Sequence, residues 1–453
     1  MRTLVWHVPP EYGHFAPTRL LARQLAAQGD RVVYLSERDM QAAIEREGFA
    51  YVPYLPERYP EGALRARDQL TGDDTWEWWL GRDLAMWQEA VSGRLEAQLA
   101  ALAPDLVLAS QLNPDTSLVA HKMGIPFIRI SCSLPLYYEP DIPPMWSDAL
   151  PGELSRRELE IEWMCHEAML WRTPWINRDN PIPRSEFYRF VEACGLDVAQ
   201  INYRSAFNWH VESDPEIITC SKAFDFPKPE VPERAYLGPC LAEVTGERWT
   251  YPARRPDAPL IYCAFGSKGG SYAAARRFVA QLLTAARARP DLDVVIASLP
   301  DEAFAGHAVP PTVHTVRWAP QREVLREASL FITHAGLGSC REAIWDAVPM
   351  LAVPQAHDQH GVAARIVYHG LGERILGDLP STRHLLDAID RLITEPRYKH
   401  AARQMCDRFR ADANDPTGTR FIGDVIERRI PATTPDHYRS VTKRLFRAIM
   451  GDD

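Results

Sequence analysis

Residues 318–359, WAPQREVLREASLFITHAGLGSCREAIWDAVPMLAVPQAHDQ, contain a strand pattern, LFITH, that runs into a small-residue turn and then a helical pattern. The turn is Ala335-Gly336-Leu337-Gly338-Ser339, and the helix is expected to begin near Cys340. Glycines there let a ligand approach the backbone. The free N–H groups of a first helical turn point at that ligand, and the helix dipole favours negative charge at the same place. His334, at the strand end, adds a donor for a phosphate oxygen. Glu342 either accepts from a ribose hydroxyl or merely favours the dipole.

Working outward, a second turn, Phe265-Gly266-Ser267-Lys268-Gly269-Gly270, follows strand LIYCA and offers more backbone N–H groups and a hydroxyl. Two phosphate-facing turns suit a diphosphate, and Trp318 supplies a ring for stacking on a base. Neither turn matches GxxxxGK[ST] or a full GxGxxG, which argues against P-loop NTPases and dinucleotide enzymes. LIYCAFGS, LDVVIAS, VHTV, LFITH and PMLAV read as strands separated by helices, an α/β half over residues 259–430. The same rhythm occupies the N-terminal half, with strands at residues 3–8, 31–36, 105–109 and 127–132 and a helix in PTRLLARQLAAQG. The Pro-rich segment between the halves places a linker at residues 239–258 and a first domain at 1–238. Residues 431–453 carry a basic helical pattern, RSVTKRLFRAIM, that either packs back on the N-terminal domain or lies on a membrane surface.

A chain of 453 residues is too long for one core and fits two domains. With 46% apolar and 25% charged residues, disordered and fibrous classes drop out. A net charge of -9 disfavours nucleic acid as a partner. No apolar run reaches bilayer length and the start lacks a signal-peptide layout, so a cytoplasmic location is expected. Eight scattered cysteines without a CxxC pair argue against a zinc knuckle or a disulfide framework.

Ten of the 13 tryptophans precede residue 210, more aromatic surface than a sheet core needs. TWEWWLGRDLAMW, with Trp76 and Trp79, and the segment around WMCHEAMLWRTPW therefore either wall an apolar acceptor cleft or fill a core or partner interface. His14 follows Gly13 in the loop after the first strand, at the carboxyl end where open α/β sheets place ligands. A histidine there, with an ordinary pKa of about 6.5, suits a general base, although a loop histidine bonded to backbone has the same appearance.

The segment Trp318-Ala319-Pro320-Gln321, His334-Ala335-Gly336, Ser339, Glu342, Val348-Pro349 and Asp358-Gln359 resembles, in order, the donor signature of the UDP-glycosyltransferase family, inverting enzymes of the GT-B fold. GHFAPTRLLARQLAAQG is similar to that family's GHxxP loop and following helix. The resemblance implies two Rossmann-like parallel-sheet domains facing a central cleft. It implies that Trp318 stacks on uracil, Ala319 bonds it through the backbone, and Gln321 and Glu342 hold the ribose. Ser267, His334, Gly336, Gly338 and Ser339 then face the diphosphate, and Asp358 and Gln359 grip the sugar. Leu337 and Gly338 stand where plant members carry Trp and Asn, which removes a side-chain contact.

By the same resemblance His14 is the base. The position where members often carry its orienting Asp is Ser110, leaving Asp115 and Asn113 as the nearest polar substitutes, with Asp115 equally a helix-start charge. RSEFYRFVEACGL and the linker resemble bacterial natural-product and carotenoid glucosyltransferases. The implied reaction transfers glucose from UDP-glucose to a hydroxyl of a large hydrophobic acceptor, with no metal and no other cofactor. A dTDP-deoxysugar donor, a glycolipid product and a non-catalytic nucleotide-sugar binder are the alternatives.

Overall fold

The computed structural model describes residues 1–68, 70, 73–135, 138–172, 184–205, 208–241, 255–266, 273–377, 380–413 and 415–429. Ser267, most of the expected linker and the basic tail lie outside the described residues.

The N-terminal half is built on β1 (Thr3–His7), β2 (Arg31–Ser36), β3 (Ala50–Pro53), β4 (Leu106–Ser110) and β5 (Phe127–Ser131). A short antiparallel ribbon, β6 (Ile201–Asn202) with β7 (His210–Val211), precedes β8 (Glu216–Ile218) and β9 (Arg234–Tyr236). Seven strands form one parallel sheet in the order β3-β2-β1-β4-β5-β8-β9. The C-terminal half contains β10 (Leu260–Ala264), β11 (Asp293–Ala297), β12 (Val313–Val316), β13 (Leu330–Thr333), β14 (Met350–Ala352) and β15 (Gly372–Arg374). These form a second parallel sheet, β12-β11-β10-β13-β14-β15. Both sheets carry helices on their faces, so their central strands are buried throughout, as LVLAS in β4 and LIYCA in β10 show. The expected strands are present within a few residues; β3, β6, β7, β8, β9 and β15, of two to four residues each, are additions.

One core cluster joins the halves. Leu134, Met145, Ile218 and Phe224 pack with Ala343, Ile344, Val362 and Ile366. Polar contacts follow the same seam: Arg365 pairs with Asp225 at 2.8 Å, and Arg341 donates to the Thr219 carbonyl.

The chain crosses back before its end. The helix Thr417–Ile426 lies inside the span assigned from sequence to the C-terminal half, yet Phe421, Ile422 and Val425 pack into the N-terminal core beside Leu21 and Leu25. Its amphipathic face reveals burial but not which sheet it covers. The crossing begins beside the segment that enters the linker: Ser221 donates to Asp412, and Gly238, at φ +73°, lies so close to the Asp412 carbonyl that a Cβ there would sit 2.7 Å from its oxygen.

Candidate active site

Two prolines and a capped turn set the His14 loop. After β1 the chain runs through Pro9 and Pro10, whose rings fix φ. Glu11 N–H then bonds the Pro9 carbonyl at 2.7 Å, and the Glu11 carbonyl accepts from His14 N–H at 2.9 Å and Phe15 N–H at 3.2 Å. The outcome is the single helical turn Tyr12–Phe15 at the carboxyl edge of the sheet. Because β1 and β4 pair with His7 opposite Ala109, the next residue of β4, Ser110, comes up beside this turn. Ser110 Oγ lies 2.9 Å from His14 Nδ1 and accepts from Leu112 N–H at 3.3 Å. When Nδ1 donates to that hydroxyl, Nε2 keeps its lone pair, the tautomer a base requires.

Asp115 is elsewhere. It opens the helix Asp115–Met123, buried against Asp83 and Arg82. Burial first, and the Asp83 charge second, push its carboxyl up to about 8. The contact sought at Asp115 is made by Ser110, at the position read from sequence as unable to supply a carboxylate.

Trp79 is engaged by cations. It lies in the helix Asp73–Val91, where the Arg67 and Arg82 guanidinium carbons sit 5.5 and 5.8 Å from its ring centre. Arg82 is fully buried, with Nε on Glu37 at 2.7 Å and Nη2 on Asn113 at 3.0 Å. The Trp76 side chain lies outside the described set. Farther along, Trp146 stacks on His166 at 3.7 Å and meets the Trp163 edge at 4.7 Å.

In the C-terminal half, Ala335 takes a left-handed φ of +63° and Gly336 caps a helix that starts at Leu337, three residues before the expected start. Its free first-turn N–H groups are therefore those of Leu337, Gly338 and Ser339. Gly336 and Gly266 converge on one ring. A Cβ at Gly336 would lie 2.4 Å from His334 Nε2, and one at Gly266 would lie 2.7 Å from His334 Cε1. Burial lowers the His334 pKa to about 4, with the Ala264 carbonyl opposing, so the ring is neutral at pH 7.

Gln321 Nε2 donates to Glu342 Oε2 at 2.7 Å, bringing the two residues expected at the ribose into contact. Burial raises the Glu342 carboxyl and the Gln321 bond opposes that. Trp318 is 70% exposed beside buried Ala319, an open indole face at the edge of the same turn.

Asp358 and Gln359 part company. Gln359 is buried, and its Oε1 accepts from Gln355 N–H at 2.8 Å and Ala356 N–H at 3.1 Å, so its amide oxygen shapes its own loop. Asp358 accepts from Ser133 Oγ of the N-terminal half. Sequence reasoning missed Ser133, which lies in a loop without a motif. Next to it, Cys132 Sγ contacts the His14 carbonyl at 3.4 Å. The seam continues with His360 Nδ1 to Asp148 at 2.8 Å and Gly361 N–H to the Met145 carbonyl at 2.8 Å. The His14 turn and the Asp358 loop thus meet across one seam through Cys132 and Ser133.

Residues 305–413, which include His334, Glu342 and Asp358, match the family model described as UDP-glucoronosyl and UDP-glucosyl transferase. That segment carries a domain similar to this family's. Among curated relatives, the zeaxanthin glucosyltransferase of Pantoea ananas is 29% identical over 81% of this chain and 83% of its own. The zeaxanthin glucosyltransferase of Pseudescherichia vulneris is 29% identical over 93% of this chain and 96% of its own. Among solved structures, the glycosyltransferase of kitacinnamycin covers 95% of this chain and 99% of its own with a TM-score of 0.70 at 23% identity, and shares the GT-B fold. No helix among the described residues is long and apolar enough to cross a membrane.

Proposed function

We propose that this protein is a glycosyltransferase that moves glucose from UDP-glucose to a hydroxyl of a large hydrophobic acceptor with inversion at the anomeric carbon. The observation that carries the reading is His14: its Nδ1 is held by Ser110 while its turn meets the Asp358 loop across the seam. In the proposed step, Nε2 takes the acceptor hydroxyl proton as that oxygen bonds to the anomeric carbon. The bond from that carbon to the diphosphate oxygen breaks on the opposite face. Negative charge gathering on the diphosphate is received by the N–H groups of Leu337, Gly338 and Ser339 and by neutral His334. This route asks nothing of a resident metal.

A ribose 2′-hydroxyl would find Glu342 and Gln321, which supports UDP over dTDP, whose sugar lacks that hydroxyl. The zeaxanthin relatives, matched over most of their length, support a hydroxylated polyene or similarly extended acceptor. A mass-spectrometric screen of UDP- and dTDP-sugars against hydrophobic aglycones tests the assignment. In that assay His14→Ala should lower kcat by about 10²- to 10⁴-fold and leave UDP affinity unchanged. Full turnover by a folded His14→Ala protein would remove the base assignment.

A further inference from the structure

The side chain of Glu11 takes no part in the turn that its carbonyl caps. Its Oε1 instead accepts from Arg67 Nη1 at 2.5 Å, while Arg67 Nε and Nη2 bond Asp68 at 3.0 and 2.6 Å. Arg67 ends the helix Ala63–Arg67 and is only 3% exposed. Its guanidinium carbon is 5.3 Å from the Trp78 ring centre and 5.5 Å from that of Trp79, and these indoles meet edge to face at 5.1 Å. Trp79 is in turn fixed by Arg82, which Glu37 and Asn113 hold in the core. A chain of charged and aromatic contacts therefore runs from the buried Glu37–Arg82 pair to the residue that caps the His14 turn. A surface ion pair would have little hold on a loop; this one is sequestered, with side chains 3% and 14% exposed, where removing one partner costs more.

We infer that Arg67 is a positioning residue for His14: through Glu11 it fixes the turn that aims Nε2 at the acceptor. The role given to His14 rests on the function proposed above, whereas the hold on the turn does not.

Hydrogen exchange followed by mass spectrometry on the intact protein, without ligand, tests the hold directly. In Glu11→Ala and in Arg67→Met, amides of residues 11–15 should exchange about tenfold faster or more, with the second sheet unchanged. With UDP-glucose and the best acceptor from the screen, kcat should fall about tenfold or more at unchanged KM for UDP-glucose, because small misplacements of a reacting group are costly. Arg67→Lys should recover part of the loss. Unchanged exchange at residues 11–15 in Glu11→Ala overturns the inference, and so does acceleration spread over the whole N-terminal half. Full turnover in His14→Ala would overturn the base assignment alone, since the exchange result stands apart from it.

Discussion

Replacing Ser110 with alanine removes the hydroxyl 2.9 Å from His14 Nδ1 and leaves the rest of β4 in place. A carboxylate in that position would form a charge-assisted bond; a neutral hydroxyl contributes about 0.5–1.5 kcal/mol net. If the contact acts on the transition state in full, kcat should fall about 2- to 13-fold, far less than for loss of the imidazole. Asp115→Asn should change kcat by less than about twofold, because a carboxyl pushed up to about 8 is already largely protonated at pH 7 and the amide keeps its shape. Ser110→Asp should raise the proton affinity of His14 and move the acidic limb of kcat/KM to higher pH. Initial rates at saturating UDP-glucose, with UDP affinity by calorimetry as a control on folding, measure all three. Full activity in Ser110→Ala, or a loss in Asp115→Asn equal to that in His14→Ala, would refute the assignment of Ser110 as the orienting group.

Glu342→Ala should weaken UDP binding by about 10- to 100-fold, the loss of a hydrogen bond to a charged group, and calorimetry reads it. Gly336→Ala should lower UDP affinity at least about tenfold, since its Cβ would overlap His334 Nε2 at 2.4 Å and displace the ring from the donor turn. Stability should fall as pH drops from about 6.5 toward 4: His334 stays neutral in the folded protein while the unfolded chain takes up the proton, and buried His7 acts in the same direction. Melting temperatures across that window should decline less steeply in His334→Gln than in the parent protein.

The sheet halves and the Gly336 turn are legible in the sequence because buried parallel strands and close backbone approaches each need a narrow set of residues. LIYCA and LFITH allow few other readings, and Gly336 is demanded by a ring only 2.4 Å from where its Cβ would lie. The helix starts three residues before the sequence suggests, since Gly338 looks like a turn residue although a first-turn position, with its N–H unbonded, tolerates it. Ser110 carries no charge to mark it, and its position depends on β1–β4 register, which no local pattern encodes. Composition leaves Trp79 open between an acceptor wall and a core; the two guanidinium groups against it come from Arg67 and Arg82, 12 positions before and three after. Gln359 carries the amide the motif calls for, but the loop geometry that turns its oxygen inward is a tertiary matter.

The return of the helix Thr417–Ile426 to the N-terminal core has a mechanical consequence. A pair of domains joined by one tether can swivel about it as well as hinge. Here the polypeptide passes between the halves twice, and the passages run side by side where Gly238 abuts Asp412 and Ser221 bonds the same residue. Two adjacent tethers work like the leaf of a door: they permit bending about their common line and oppose torsion. Any opening of the seam must therefore swing about that line, returning Asp358 to Ser133 and the His14 turn to the Asp358 loop in one repeatable alignment.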